Sequence, residues 1–177
     1  SIAGSSVEVY DEDDGFISND MWNVEIDNNN TIWVAGEEFL SSMNNKIVRN
    51  YQRTNDTARF HGYNAGLLPL PNGDVLHGGL DLKILKSNKN GHTLSEVITT
   101  NTWINGIETN SKGDIYYSDV VNGIIKYENG KKILTYNNDN GFLFNEPTGI
   151  LIDNKDWIWS SSGSAGVAFF DGTVWNY

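Results

Sequence analysis

Short apolar runs alternate with turn-forming residues along this chain, and no 3.6-residue apolar period interrupts them. The runs at 123–127 and 166–170 each lead into an Asn-Gly or Asp-Gly pair, at 129–130 and 171–172. Such a pair between two apolar runs is the strongest short-range signal for a hairpin, because both residues tolerate a left-handed backbone. The pattern therefore predicts an all-β chain built from antiparallel hairpins.

A pattern of one apolar residue, a turn rich in Asn and Asp, and an apolar–aromatic pair occurs four times. Its aromatic column, with separations of 43, 40 and 43 residues, holds Trp33, Leu76, Tyr116 and Trp159. The first and fourth copies also align without a gap at an offset of 126 residues, so that 15–20 falls on 141–146. Four short strands in each copy are typical of a propeller blade. An antiparallel sandwich with accidental similarity among its hairpins is the alternative.

The predicted fold class is an all-β propeller of about four four-stranded antiparallel blades, each of 40–43 residues, that form part of a larger ring. Segment 1–13 is predicted to supply the last strand of a preceding blade. A closed four-bladed ring and an assembly of two chains into eight blades are the alternatives, and exposed strand edges predict self-association. The four blades of this single propeller are predicted at 14–53, 54–97, 98–139 and 140–177.

Charge and composition narrow the classes of function. The chain has 23 acidic and 12 basic residues and a formal net charge of -11. Such a surface repels phosphate backbones and anionic lipids, so no nucleic acid and no direct membrane contact are predicted as partners. Cysteine is absent, which excludes disulfides and thiolate metal sites. No apolar run approaches the roughly 18 residues that a membrane-spanning helix needs.

Residues with catalytic or metal-binding chemistry are sparse. The three histidines, His61, His77 and His92, fall at different repeat positions and lack the spacing of a zinc site. The acidic run 11–14 is interpreted as a solvated turn, with calcium binding as the alternative. No Gly-x-Ser-x-Gly nucleophile elbow occurs. No catalytic residue, metal or cofactor is therefore predicted, and the chain is not expected to be an enzyme.

Polar and aromatic residues that depart from the repeat are better candidates for a ligand site. They are predicted to gather on the rim where first strands begin and second strands end. Aromatic rings stack on the apolar faces of sugars while Asn and Asp pair with hydroxyls, so an oligosaccharide or other small ligand is predicted. Packing of the tryptophans between blades is the alternative. The predicted ligand-binding residues are Asn19, Asp20, Trp22, His61, Tyr63, Trp103, Asn105, Asp119, Asn145 and Glu146.

The first and fourth copies resemble a known family, the two-component regulator propeller repeat. The matching residues are Gly15, Phe16, Asn19, Asp27, Ile32 and Trp33, and then Gly141, Phe142, Asn145, Asp153, Ile158 and Trp159. Asn30 and Asp156 stand where glycine is usual in that repeat.

This resemblance implies a bacterial, periplasmic, secreted or cell-surface propeller that binds or senses a ligand, like the sensor regions of hybrid two-component regulators. Similar repeats occur in surface proteins without a kinase. A propeller that docks a protein partner or a second propeller is the alternative function, and a propeller hydrolase or lyase is a third.

Overall fold

In the first and fourth repeats, one aspartate side chain fixes the turn between the first two strands. In the first repeat the Asp27 carboxylate accepts the amides two and four residues further on, at 2.8 and 2.9 Å, and the indole N–H of Trp33 at 3.1 Å. Asp153 in the fourth repeat accepts the same three donors, at 2.8, 3.0 and, from Trp159, 3.0 Å. We call this arrangement the Asp–Trp clamp. It holds the turn and the aromatic side chain of the second strand in one rigid unit.

The backbone of the same turns explains why Asn30 and Asp156 can stand where the resembled repeat usually has glycine. Asn30 and Asp156 adopt φ values of 57° and 61°, and the corresponding Gly73 and Gly113 adopt 86° and 82°. All four repeats therefore place a left-handed residue at this position. Asn and Asp are the non-glycine residues that tolerate this conformation best, so the turn geometry is retained in every repeat.

The computed structural model describes residues 7–36, 39–51, 66–88, 90–128, 130–144 and 146–177. It contains four antiparallel four-stranded sheets arranged as a four-bladed propeller, so the predicted all-β propeller fold is confirmed. Single turns of 3-10 helix at Glu12–Asp14 and Asn138–Asn140 precede the first and fourth sheets. The strands are β1 Met21–Ile26, β2 Ile32–Gly36, β3 Leu40–Asn44, β4 Ile47–Tyr51, β5 Leu67–Pro69, β6 Val75–His77, β7 Leu82–Asn88, β8 Gly91–Ile98, β9 Ile104–Thr109, β10 Ile115–Asp119, β11 Gly123–Glu128, β12 Lys131–Tyr136, β13 Pro147–Ile152, β14 Ile158–Ser162, β15 Gly166–Phe170 and β16 Trp175–Asn176.

The strands of every sheet follow one another in chain order, and the first strands of neighbouring sheets contact each other, β1 with β5, β5 with β9 and β9 with β13. These first strands therefore lie innermost. In each sheet the first residue of the inner strand pairs with the last residue of the second strand. We call this end of the sheets the top face. The pairs are Met21 with Gly36, Leu67 with His77, Ile104 with Asp119 and Pro147 with Ser162.

The apolar core lies between the sheets. Trp33, Ala35 and Leu40 of the first sheet pack against Leu67 and Val75 of the second. Equivalent clusters join the second sheet to the third and the third to the fourth. A further cluster around Phe16 and Phe39 covers part of the other side of the first sheet. Each sheet is thus stabilised mainly by burying its faces against its neighbours.

Neighbouring inner strands approach closely at a column of glycines. A Cβ added to Gly66 would lie 2.7 Å from Cγ1 of Ile107, and one added to Gly106 would lie 3.0 Å from Cγ2 of Ile150. Ile107 and Ile150 occupy the same position in successive repeats. At the junctions on both sides of the third sheet, one apolar side chain therefore packs against a glycine of the preceding sheet.

Replacing Gly66 with alanine should lower the free energy of unfolding by about 1–3 kcal/mol, because the new methyl group overpacks this junction. Chemical denaturation followed by far-UV circular dichroism measures the loss. The matched control is Gly149→Ala, because a Cβ at Gly149 would contact only Oγ of Ser161, at 3.1 Å. Equal losses in the two variants would contradict the role given to close approach at Gly66.

Residues 7–10, ahead of the first sheet, form no strand. The expectation that segment 1–13 completes a preceding blade stays a prediction, because such a strand would pair with residues outside this sequence. Within the part of the chain that the structure describes, no helix has the length and apolar character needed to cross a membrane.

Candidate functional site

The described members of the predicted ligand site lie at or near the top face. Trp22 and Asn105 follow the first residues of their inner strands, and Trp103 and Glu146 precede two of those strands. Asp119 ends the second strand of the third sheet. His61, Tyr63 and Asn145 lie outside the described residues.

Asp119 has a structural role at this face, because it is only 2% exposed. Its Oδ1 accepts the backbone N–H groups of Val121 and Asn122, both at 2.9 Å, and its Oδ2 accepts the Asn122 side-chain amide at 3.0 Å. These bonds use both carboxylate oxygens to shape the turn after β10. Asp119 therefore positions this turn, and the prediction that it binds a ligand directly stays untested.

Asn19 and Asn105 also make bonds within the protein. The Asn19 amide oxygen accepts the backbone N–H of Glu12 at 3.1 Å, and the Glu12 carboxylate accepts the backbone N–H of Asn19 at the same distance. Asn105 donates to the carbonyl of Pro147 at 3.3 Å and so joins the third sheet to the fourth. Both side chains hold the segments that lead into inner strands.

The aromatic candidates differ in their surroundings. The indole N–H of Trp22 donates to Oδ1 of Asp20 at 2.8 Å, and the residue is half-buried. Trp103 is 37% exposed. Its carbonyl accepts the N–H of Val120 at 3.1 Å, which ties it to the turn that Asp119 supports. The exposed part of the Trp103 side chain is therefore accessible to a ligand beside the third sheet.

A polar cleft of about 340 Å³ lies beside this turn, between the third sheet and the segment that leads into the fourth. We call it the 122–146 cleft. Its charged, polar and aromatic lining comprises Asn122, Lys132, Thr135, Asn137, Asn138, Asp139, Phe144 and Glu146. The cleft thus contains one predicted site residue, Glu146. A second one, Asp119, holds the turn that forms one wall of the cleft.

The charged groups of the cleft are available to a ligand. Lys132, Asp139 and Glu146 are exposed, and none of them forms an ion pair with another described residue. Phe144 supplies a buried apolar wall behind them. A cation, two carboxylates and neutral amides in one cleft can donate to and accept from a hydroxyl-rich molecule.

One rim of the cleft is held rigid by a capping box. The Asn137 side chain accepts the N–H of Asp139 at 3.0 Å, while the Asn140 side chain accepts the N–H of Asn137 at 2.8 Å. Gly141 then adopts φ 90° and ends the helical turn. The same arrangement occurs at Asp11, 126 residues earlier. The acidic run 11–14 is therefore a capped turn, as the sequence indicates.

Two glutamates on inner strands were missed at the sequence level. Glu25 and Glu108 occupy the same repeat position, directly after Val24 and Ile107. Burial raises the pKa of Glu108 above its usual value, and the charge of Glu25 raises it further. Desolvation by the surrounding protein also raises the pKa of Glu25.

Metal-ligating side chains are dispersed. Over the described ranges, no group of three or more His, Asp or Glu side chains is close enough to hold a metal ion. His77 is completely buried between sheets, and His92 bonds the carbonyl of Gly73 at 2.7 Å. The described histidines therefore belong to the packing of the blades.

Comparison with known proteins supports the fold. No family model matches the chain, and no curated protein matches it. Among solved structures, the extracellular domain of a hybrid two component system from B. thetaiotaomicron has a TM-score of 0.70 at 16% identity, over 88% of this chain and 22% of that one. The resemblance to sensor propellers is thus supported at the level of fold.

Enzymes also occur among the similar structures. Virginiamycin B lyase from Staphylococcus aureus has a TM-score of 0.68 at 16% identity, over 91% of this chain and 56% of the lyase. A propeller named as a gluconolactonase has a TM-score of 0.65 at 10% identity, over 87% of this chain and 59% of that one. The chain thus spans little more than half the length of these two proteins.

The expectation that the chain is not an enzyme is therefore wrong. The similar propellers include a lyase and a lactonase by name, so this fold supports catalysis. That expectation rested on the lack of clustered histidines and of a nucleophile elbow.

Proposed function

We propose that this chain is an extracytoplasmic ligand-binding propeller of the sensor type and that its ligand occupies the 122–146 cleft. The observation that carries the proposal is the set of exposed charged groups, Lys132, Asp139 and Glu146, which form no ion pair with another described residue and lie in one cleft beside Phe144. The similarity to an extracellular domain of a two component system supports the location and the sensor role.

The chemistry of the cleft favours a carbohydrate. Sugar hydroxyls donate and accept hydrogen bonds at once, so they suit a lining that mixes an ammonium group, carboxylates and amides. The volume of about 340 Å³ is at the lower end of small-molecule sites, which fits one or two sugar rings better than a long chain. A sugar acid would gain an additional ion pair with Lys132.

Replacing Lys132 with alanine should weaken oligosaccharide binding about tenfold, because a hydrogen bond from a charged group contributes about 1.5–3 kcal/mol. The measurement is isothermal titration calorimetry with neutral and acidic oligosaccharides. The matched control is Lys131→Ala, because Lys131 is the neighbouring residue of the same strand and does not line the cleft.

Binding that is reduced equally by both substitutions would contradict the position of the ligand and would indicate a general effect of positive charge. The absence of binding by any oligosaccharide in the series would contradict the proposed ligand class. Unchanged thermal unfolding of both variants would show that the fold is retained, which is expected because both lysines are exposed.

A further inference from the structure

The two inner-strand junctions around the third sheet use the same contact. Ile107 lies against Gly66, and Ile150 lies against Gly106. In each case the apolar side chain belongs to the later sheet and the glycine belongs to the earlier one. The glycine lets the two inner strands approach closely, and the apolar residue fills the space.

The fourth sheet has a glycine at the same repeat position, but no apolar side chain of the described residues packs against it. Gly149 occupies the position of Gly66 and Gly106, yet among the residues that the structure describes the only atom within 4 Å of a Cβ placed there is Oγ of Ser161. A shallow cavity of about 230 Å³ surrounds it, with Leu151, Trp159 and Val167 in its lining. Leu151 and Val167 are 52% and 58% exposed. We call this surface the open face of sheet 4.

The first sheet has apolar residues at the equivalent repeat positions, but they are exposed. Val24 and Ile26 occupy the positions of Ile150 and Ile152. Those isoleucines pack against the cluster between the third and fourth sheets, whereas Val24 and Ile26 are 60% and 62% exposed. We call the surface formed by these two residues the open face of sheet 1. Among the described strands, no comparable contact joins the first sheet to the fourth.

We propose that the open face of sheet 4 binds the open face of sheet 1 of a second copy of this chain, with Val24 seated against Gly149. The occupant is a second copy because each chain exposes both partners of the contact found at its internal junctions, the glycine on sheet 4 and the apolar residue on sheet 1. The interface is head-to-tail, and two such junctions would close a ring of eight blades. Burial of four exposed aliphatic side chains at each junction would favour association.

The net charge of the chain gives this interface a specific salt dependence. Two copies with a formal charge of -11 each repel one another in dilute buffer. Salt screens this repulsion but leaves burial of the aliphatic side chains unaffected. The association should therefore strengthen as salt is added, whereas an interface held by ion pairs would weaken.

Sedimentation velocity on the full chain tests the proposal. The unmodified protein should form a dimer in moderate salt, and Val24→Glu and Gly149→Leu should each be monomeric. Val24 is exposed, and a Cβ at Gly149 would approach only the Ser161 hydroxyl among the described residues, at 3.1 Å, so both variants should keep the circular dichroism spectrum of the unmodified protein. Ile133→Glu is the matched control, because Ile133 is 55% exposed but lies on the outermost strand of the third sheet, away from both open faces. This variant should still form the dimer.

Mixing the two monomeric variants tests the head-to-tail arrangement. At one junction the intact Gly149 of one variant can receive the intact Val24 of the other, while the second junction carries both substitutions. The mixture should therefore regain a dimer that neither variant forms alone and that is weaker than the dimer of the unmodified protein. Failure to regain it, or loss of the dimer in Ile133→Glu, would overturn the proposed contact. A protein that stays monomeric at every concentration and salt level would overturn it directly.

Discussion

Replacement of Trp33 by alanine should lower the free energy of unfolding by about 3–5 kcal/mol, the range for removing a large aromatic side chain from a core. Trp33 is 1% exposed and lies in the cluster between the first and second sheets. Its ring stacks on Tyr51 at 5.5 Å and meets the edge of His92 at 4.8 Å. The substitution also removes the indole donor of the first Asp–Trp clamp. Urea denaturation measures the change.

The fourth sheet provides the matched comparison. Trp159 makes the same bond to Asp153 and stacks on Phe169 at 4.7 Å, but it lies on the open face of sheet 4 and is only half-buried. Trp159→Ala should therefore cost clearly less than Trp33→Ala when the protein is monomeric. A loss as large as that for Trp33 would show that the clamp, rather than burial between sheets, dominates the stability.

Stability should fall as the pH drops below about 6.5, the usual pKa of histidine. His77 is fully buried, and burial, with a further contribution from the charge of Lys83, lowers its pKa from 6.5 to about 3. Between these values the unfolded chain binds a proton that the folded chain does not bind. The free energy of unfolding therefore decreases with falling pH, by up to about 1.4 kcal/mol per unit from this group.

Thermal unfolding between pH 7 and pH 4 measures this dependence. His77→Val is the matched variant, because Val34 occupies the same position in the first repeat. This variant should show a much flatter profile over that range. Aspartates whose pKa is lowered, such as Asp153 through its bond with Trp159, add a further loss only below about pH 4. An unchanged profile in His77→Val would show that His77 does not control the acid sensitivity.

The fold could be predicted from the sequence because its determinants recur. The aromatic column, the Asp–Trp clamp and the left-handed turn residue are all local, and a gapless offset of 126 residues repeats them. The second sheet illustrates the limit of this reasoning. Its inner strand is short and ends at Pro69, and its second strand ends at the buried His77, where sequence alone favours a solvated or hydrogen-bonded histidine.

The candidate site could be predicted only in part. The top face follows from strand order, so the positions of Trp103 and Glu146 are predictable. The 122–146 cleft is not, because Lys132 lies on an outer strand and Asp139 in a connecting turn, neither of which belongs to the predicted rim. Asp119 shows that a polar departure from the repeat can also support a turn, a role that the repeat pattern does not predict.

The Asp–Trp clamp also bears on how the chain reaches its folded state. Its three hydrogen bonds span at most six residues, so they close a short loop at small entropic cost. Hairpins with such clamps can form early, each independently of the others. The contacts between sheets link residues about 40 positions apart and must follow. The rate of folding should therefore be set by the docking of preformed hairpins rather than by the making of any single blade.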